Sequence, residues 1–138
     1  MKRRRGTAIV ETEHGVLLTA MSKGGFLLPG GGTNHNETRF RAAIRELEEE
    51  TGLVGKKENL IDLGIIAPDS GVINGRVKIF FVKAEKIRTD RVSEFGLGKL
   101  SFYSPLEITN LIKQNKLIDS FTLVAFYRAI VEGHIILN

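Results

Sequence analysis

The sequence predicts a domain of mixed α/β class (α+β in some schemes), with helices packed on a mixed β-sheet. Two observations lead to this expectation. The chain of 138 residues is 42% hydrophobic, which is enough for one core and small for two domains. Segments with strand and helix patterns follow one another without the regular alternation of a parallel α/β fold. We therefore expect residues 1–138 to form a single domain.

Short apolar segments separated by turn residues occupy the N-terminal part of the chain. Strands are predicted for residues 6–13, 16–21 and 26–28. The next stretch, residues 30–36, begins with three glycines and shows neither helical nor strand periodicity. Consecutive glycines carry a high entropic cost, so this segment is predicted to be a loop that needs a close backbone approach or a positive φ.

The central helix is predicted for residues 38–51, with Thr38 as its N-cap and Gly52 just beyond its end. One stripe at helical spacing should face the core: Phe40, Ile44, Leu47 and Thr51. Further strands are predicted for three segments, residues 60–67, 76–84 and 100–103. Two helices should follow, one starting at Pro105 and running towards Lys116, the other capped by Ser120 and ending near Glu132.

Composition limits the kinds of site that the chain can build. It has no cysteine and three well-separated histidines, which excludes a thiol nucleophile and makes a histidine-built metal site a poor hypothesis. A metal would have to be held by carboxylates, which favours Mg²⁺ or Mn²⁺. No apolar run reaches the ~20 residues of a membrane span, and no signal-like apolar segment follows the basic residues 2–5. We expect a cytoplasmic protein without membrane contact.

A cluster of glutamates near the end of the central helix carries the chemistry. Glu46, Glu49 and Glu50 stand at i, i+3 and i+4, so they share one helix face. Their mutual repulsion and the helix dipole both oppose this placement, and a divalent cation would offset both. For the three glutamates alone, a solvated acidic helix end remains the alternative.

The context of this cluster resembles the Nudix box, G-x5-E-x7-R-E-U-x-E-E-x-G-U, where U is a bulky aliphatic residue. Every specified position matches, in the order Gly31, Glu37, Arg45-Glu46-Leu47, Glu49-Glu50 and Gly52-Leu53. The resemblance implies a Nudix-type α/β/α sandwich with a mixed sheet, and an Mg²⁺-dependent pyrophosphohydrolase site, with Mn²⁺ as an alternative metal.

The resemblance also implies roles for single residues. The metal ligands would be Glu46, Glu49, Glu50 and the backbone carbonyl of Gly30. Glu37 and Arg45 would brace the loop against the helix. Helical spacing, independently of the resemblance, places Arg45 on the flank of the glutamate face, projecting away from it and able to pair with Glu48 at i+3. A carboxylate free to activate water is also needed; Glu46 is our first choice, and Glu49 or a residue outside the box is the alternative.

Other candidates lie around the box. Glu94 could supply a further metal-binding carboxylate, His35 could contact substrate from the box loop, and Lys23 is the basic residue nearest the second strand. Asn36 replaces a glycine that is usual in the family, and asparagine tolerates a positive φ better than most residues.

The predicted substrate is a small nucleotide, with a (deoxy)nucleoside triphosphate placed first because the short chain is similar to compact MutT-like members. ADP-ribose or another nucleotide sugar is the alternative, suggested by Pro68, which stands 15 positions after Leu53. A non-catalytic nucleotide-binding module is the second class of function, and an RNA-directed enzyme the third. Stable nucleic-acid binding is not predicted, because the chain has no aromatic-rich platform. A homodimer is left open.

Overall fold

The computed structural model describes residues 4–20, 26–28, 30–51, 57–67, 76–84 and 100–137. Several predictions fall outside these ranges. They are the loops at 22–25 and 85–99, Pro29, the helix stop at Gly52, the segment 68–75 with Pro68, and the residues Lys23 and Glu94.

Seven strands of the described chain form one mixed sheet. They are β1 (Arg4–Thr12), β2 (Gly15–Ala20), β3 (Phe26–Leu27), β4 (Gly30–Gly32), β5 (Ile61–Ile66), β6 (Arg76–Lys83) and β7 (Leu100–Tyr103). The main path runs β3-β2-β1-β6-β5, while β4 pairs with β1 and β7 with β2. β1 and β6 are parallel and all other pairs are antiparallel. The predicted strands are present with small shifts at their ends.

The glycine run corrects one prediction, because it forms a strand rather than a loop. Gly30, Gly31 and Gly32 pair antiparallel with Thr7, Gly6 and Arg5 of β1. Three glycines show no strand periodicity, so only the pairing partner reveals this strand. A Cβ on Gly30 would overlap the side chain of Thr7, which explains why glycine stands there.

Helices cover the two faces of the sheet and make three layers. α1 (Arg39–Thr51) lies on one face, and α2 (Pro105–Lys113) and α3 (Ser120–Val131) lie on the other. The core under α1 consists of Ala8, Val10, Leu17, Leu47, Val82 and Ala84. The larger core on the opposite face includes Ile9, Ile79, Phe81, Ile108, Ala125 and Phe126. This arrangement is the predicted α/β/α sandwich, with α1 fixed over the parallel pair β1 and β6.

The apolar stripe of α1 differs in part from the prediction. Leu47 is fully buried as expected, but its buried neighbours are Ala42 and Ala43, whereas Phe40 and Ile44 are half-buried. Small residues are needed because α1 lies very close to β1: a Cβ on Gly6 would overlap the backbone carbonyl of Arg39. The side chain of Thr51 is outside the described set.

The C-terminal helices differ slightly at their ends. α2 ends at Lys113 rather than near Lys116, with Gln114 as its C-cap. α3 is capped by Asp119, whose side chain accepts a hydrogen bond from the backbone N–H of Thr122, and not by Ser120 as predicted. The carboxylate also accepts from the Thr122 hydroxyl at 2.7 Å, so Asp119 satisfies two donors. Within the described residues, no helix is long and apolar enough to span a membrane.

Candidate active site

The carboxylate of Glu46 packs directly against the backbone of β4. A Cβ on Gly31 would overlap Oε1, Cδ and Cγ of Glu46, so only glycine leaves room for this side chain. The Glu46 side chain is only 18% exposed, because it lies in a narrow space between α1 and the sheet. This role of Gly31 was not predicted from the sequence, although the run of three glycines indicated a close approach to the backbone.

Arg45 connects α1 to the loop that precedes it. Its Nε donates to Glu37 Oε2 at 2.9 Å, and its Nη2 donates to Glu37 Oε1 at 3.0 Å, a two-pronged arginine–carboxylate pair. Nη2 also donates to the backbone carbonyl of Gly32 at 2.9 Å. One guanidinium thus holds the loop residue Glu37 and the end of β4 against the helix.

The third guanidinium nitrogen of Arg45 contacts two glutamates of α1. Nη1 donates to Glu46 Oε1 at 3.0 Å and to Glu49 Oε2 at 3.2 Å. This corrects the expectation that Arg45 projects away from the glutamate face. Arg45 forms ion pairs with Glu37, Glu46 and Glu49 rather than with the predicted Glu48. Its guanidinium has several donors, so it can contact the next residue, Glu46, and also Glu49 one turn further along α1.

The charges of this network reinforce one another. Hydrogen bonds from Arg45 and from the backbone N–H of Asn34, together with the charge of Arg45, hold the pKa of Glu37 below its usual value despite partial burial. The hydrogen bonds that Arg45 donates to Glu37 and Glu46, together with the negative charges of these two carboxylates, raise the pKa of Arg45 against the effect of burial. The pair is therefore fully ionised at neutral pH.

The loop between β4 and α1 is held in place by local hydrogen bonds. Glu37 Oε1 accepts from the backbone N–H of Asn34 at 2.9 Å, and Thr38 Oγ1 caps α1 by accepting from the N–H of Arg41 at 3.1 Å. Asn36 has a φ of 62°, as its family position suggests. His35 stands in the same turn and is exposed, so its imidazole is open to a ligand.

The other predicted ligands are placed only in part. Gly30 lies on β4 beside Thr7 and directly precedes Gly31, the residue that contacts the Glu46 carboxylate. Glu50 belongs to α1, but its side chain is outside the described set. Among the side chains that are described, no three or more histidines, aspartates or glutamates are grouped so as to hold a metal ion.

Comparison with known proteins assigns a family to this arrangement of strand, loop and glutamate-bearing helix. The sequence model of the NUDIX domain matches residues 1–116, which is most of the chain. The chain belongs to the NUDIX domain family. The family resemblance and the mixed α/β fold expected from the sequence are thereby confirmed, and the chain is classed with the Nudix hydrolases.

Individual Nudix relatives are similar over different lengths. An ADP-ribose pyrophosphatase from Methanocaldococcus jannaschii is 37% identical over 79 residues, which are 54% of this chain and 46% of the relative. The match therefore spans about half the length of that curated relative.

Two solved structures share the fold. A NUDIX hydrolase from Nitrosomonas europaea superposes with a TM-score of 0.74 at 19% identity, covering 96% of this chain and 90% of that one. A mutator MutT protein from Bacillus halodurans superposes with a TM-score of 0.65 at 25% identity, covering 91% and 80%.

Proposed function

We propose that this Nudix-family chain hydrolyses the diphosphate linkage of a nucleoside diphosphate derivative, with Mg²⁺ as its cofactor and Mn²⁺ as an alternative. One observation carries the proposal: the carboxylates of Glu46 and Glu49 both lie within hydrogen-bond distance of the same nitrogen of Arg45. The two acids are thus gathered around a single positive charge beside the loop of the Nudix box.

The residues present fit a hard divalent cation. Glu46 and Glu49 offer carboxylate oxygens, the donors that Mg²⁺ prefers, and both approach Nη1 of Arg45, so the two carboxylates lie near each other. Glu50 and the carbonyl of Gly30 complete the proposed set of ligands. A divalent ion bound there would reduce the repulsion between the carboxylates and an anionic substrate, and would polarise a phosphoryl oxygen.

Residues of the chain are proposed to accept the proton and to position the reacting groups. Glu46, held against Gly31 and bonded to Arg45 through one oxygen, is proposed to accept the proton of a water molecule that attacks phosphorus, while the bond to the leaving phosphate oxygen breaks. Glu49 is more exposed, at 55% of its side chain, and remains the second candidate for this role. Arg45 and Glu37 are proposed as positioning residues, because they hold the loop and orient the carboxylates.

For the substrate we place ADP-ribose ahead of a (deoxy)nucleoside triphosphate, which reverses the order favoured by chain length. The 37% identical relative is named an ADP-ribose pyrophosphatase, and Pro68 stands where such members often carry a proline. The nucleoside triphosphate remains the second candidate, because a mutator MutT protein shares the fold at 25% identity. His35, exposed beside the box, is a candidate contact with either substrate.

One comparison of rates tests the function and orders the substrates. We would measure kcat/KM for ADP-ribose, dGTP and dATP at the same Mg²⁺ concentration, with product release followed after addition of phosphatase. A preference of tenfold or more for ADP-ribose, equivalent to about 1.4 kcal/mol in transition-state stabilisation, is the expected result. A tenfold preference for either triphosphate would restore the opposite order.

A non-catalytic nucleotide-binding module is the competing class of function. All the carboxylates of the box are present, and such modules usually lack some of them. Tight binding of ADP-ribose and of both triphosphates without turnover in Mg²⁺ or Mn²⁺ would favour the module.

Some expectations from the sequence stay predictions. They are a single domain over residues 1–138, a cytoplasmic location and no membrane contact, with the choice between monomer and homodimer still open. The roles of Glu94 as a metal ligand and of Lys23 as a candidate site residue after the second strand, both outside the described residues, also stay predictions.

A further inference from the structure

A cavity lies on the opposite flank of α1 from Glu46. Glu46 faces β4, whereas this cavity, of about 560 Å³, opens between the first turn of α1 and strands β5 and β6. Its lining comprises Asn36, Glu37, Thr38, Arg39, Phe40, Asp62, Lys78 and Phe80. The volume falls within the ~300–1,000 Å³ that is usual for small-ligand sites.

The acids that line this cavity already have cations of their own. Glu37 is paired with Arg45 through both carboxylate oxygens. Asp62 accepts from Lys78 at 2.7 Å and from the backbone N–H of Gly64 at 2.7 Å. Burial opposes ionisation of Asp62, but these hydrogen bonds and the charge of Lys78 outweigh it and lower its pKa.

Arg39 is the exception among the charged groups of the cavity. It forms no ion pair with the residues that the structure describes, and its Nε is buried without a hydrogen-bond partner. A buried donor without a hydrogen-bond partner is unfavourable. Among the described residues that line the cavity, Arg39 is thus a positive charge without an acidic partner, and the Lys78 ammonium has donors beyond the one used by Asp62.

The charge of the first turn of α1 also favours a bound anion. This turn contains Arg39 and Arg41 and no acidic residue. Cations near a helix N-terminus are unfavourable because they face the positive end of the helix dipole. A bound anion would offset that cost and would also pair with Arg39.

We propose that this cavity binds a phosphate group, carried by inorganic phosphate or by a nucleoside monophosphate, in contact with Arg39 and Lys78. A guanidinium and an ammonium on one side of a pocket suit a phosphate, because each of its oxygens can accept a charge-assisted hydrogen bond. The Thr38 hydroxyl and the Asn36 amide line the same wall and add uncharged polar groups. The lining of the cavity includes Glu37 but neither Glu46 nor Glu49, and the proposal does not depend on the proposed hydrolysis.

Calorimetric titration in buffer freed of divalent metals by a chelating resin tests this site without turnover. The probes are inorganic phosphate, AMP and adenosine, and the variants are Arg39→Gln and Lys78→Gln. Arg41→Gln is the matched control, because Arg41 is exposed in the same helical turn and loses the same charge. Thermal unfolding of each variant verifies that it is folded.

We expect phosphate and AMP to bind, adenosine not to bind, and both test variants to weaken binding at least tenfold while Arg41→Gln changes it less than twofold. Equal affinity for phosphate and AMP assigns the site to phosphate itself, and tighter binding of AMP assigns it to the nucleotide. The proposal fails if neither anion binds at millimolar concentration. It also fails if Arg41→Gln weakens binding as much as Arg39→Gln, since net charge alone would then be responsible. Should Arg39→Gln not fold, Lys78→Gln decides by the same criteria.

Discussion

Gly31 and Glu46 lie in direct contact, with the glutamate carboxylate in the space that any other side chain at position 31 would fill. They stand 15 positions apart in the sequence, on β4 and α1. β4 pairs with β1, and α1 packs on the same strand, so β1 fixes the distance between them. The first glycine of the box is therefore a steric requirement for the position of a proposed metal ligand.

Substitution of Gly31 by alanine should separate activity from stability. The new methyl group would displace the Glu46 carboxylate, which is the far end of a side chain and can move at small cost. We expect kcat to fall at least tenfold while the unfolding midpoint in urea changes little. Gly6→Ala is the contrasting variant, because its methyl group would meet the backbone of Arg39 and should destabilise the fold by more than about 1 kcal/mol. Normal activity of Gly31→Ala would contradict the proposed position of Glu46.

The glutamate face should be essential for metal-dependent turnover. Glu46→Gln and Glu50→Gln each remove a proposed ligand, and each should lower kcat/KM by about 10²-fold or more, the size expected for loss of a main electrostatic element. Glu48→Gln, in the same helix but off the face by its spacing, is the matched control and should stay within about threefold of wild type. Full activity of wild type in excess chelator, or of Glu50→Gln in Mg²⁺, would show the assignment to be wrong.

Weakening the Glu37–Arg45 pair should disturb the loop before α1 more than it disturbs metal binding. Glu37→Gln weakens the paired hydrogen bonds to Arg45 but leaves the contacts of Nη1 with Glu46 and Glu49 in place. We expect faster amide hydrogen exchange in residues 33–38, lower kcat, and an Mn²⁺ affinity within about fivefold of wild type by electron paramagnetic resonance titration. Arg45→Ala removes both sets of contacts and should lower kcat further. If Glu37→Gln lost as much Mn²⁺ affinity as Glu50→Gln, Glu37 would belong with the metal ligands.

The same pair should make stability depend on pH in the acid range. The pKa of Glu37 is lower in the folded chain than its value of about 4.3 in an unfolded one, because Arg45 and the Asn34 N–H stabilise the carboxylate. Its contribution is therefore fully present above the unfolded pKa and is lost as the pH falls through the folded pKa. Urea unfolding at pH 7, 5 and 3 should show wild type and Glu37→Gln converging at low pH. A constant difference between them would exclude this linkage.

Much of the fold could be predicted from local patterns of apolar and capping residues in the sequence. Alternating and continuous apolar segments predicted six of the seven described strands, and the spacing of Thr38 and Leu47 predicted α1 with its cap. The motif around Glu46 likewise predicted the family, because its residue types and spacing are specific without any structure. These features depend on neighbours in sequence, which is why they can be read there.

Other features depend on contacts between distant segments, and only the tertiary structure decided them. The strand at Gly30–Gly32 exists because β1 supplies its hydrogen-bond partners, and three glycines carry no strand signal of their own. The direction of Arg45 was misjudged from spacing, because a guanidinium has three nitrogens and the fold brings Glu37 to one side of it and Glu46 to the other. That Arg39 has no acidic partner among the described residues is also a tertiary property, since the partners of the cavity's other charges come from β5, β6 and α1. Sequence thus determined which residues are available for chemistry, and packing determined which of them meet.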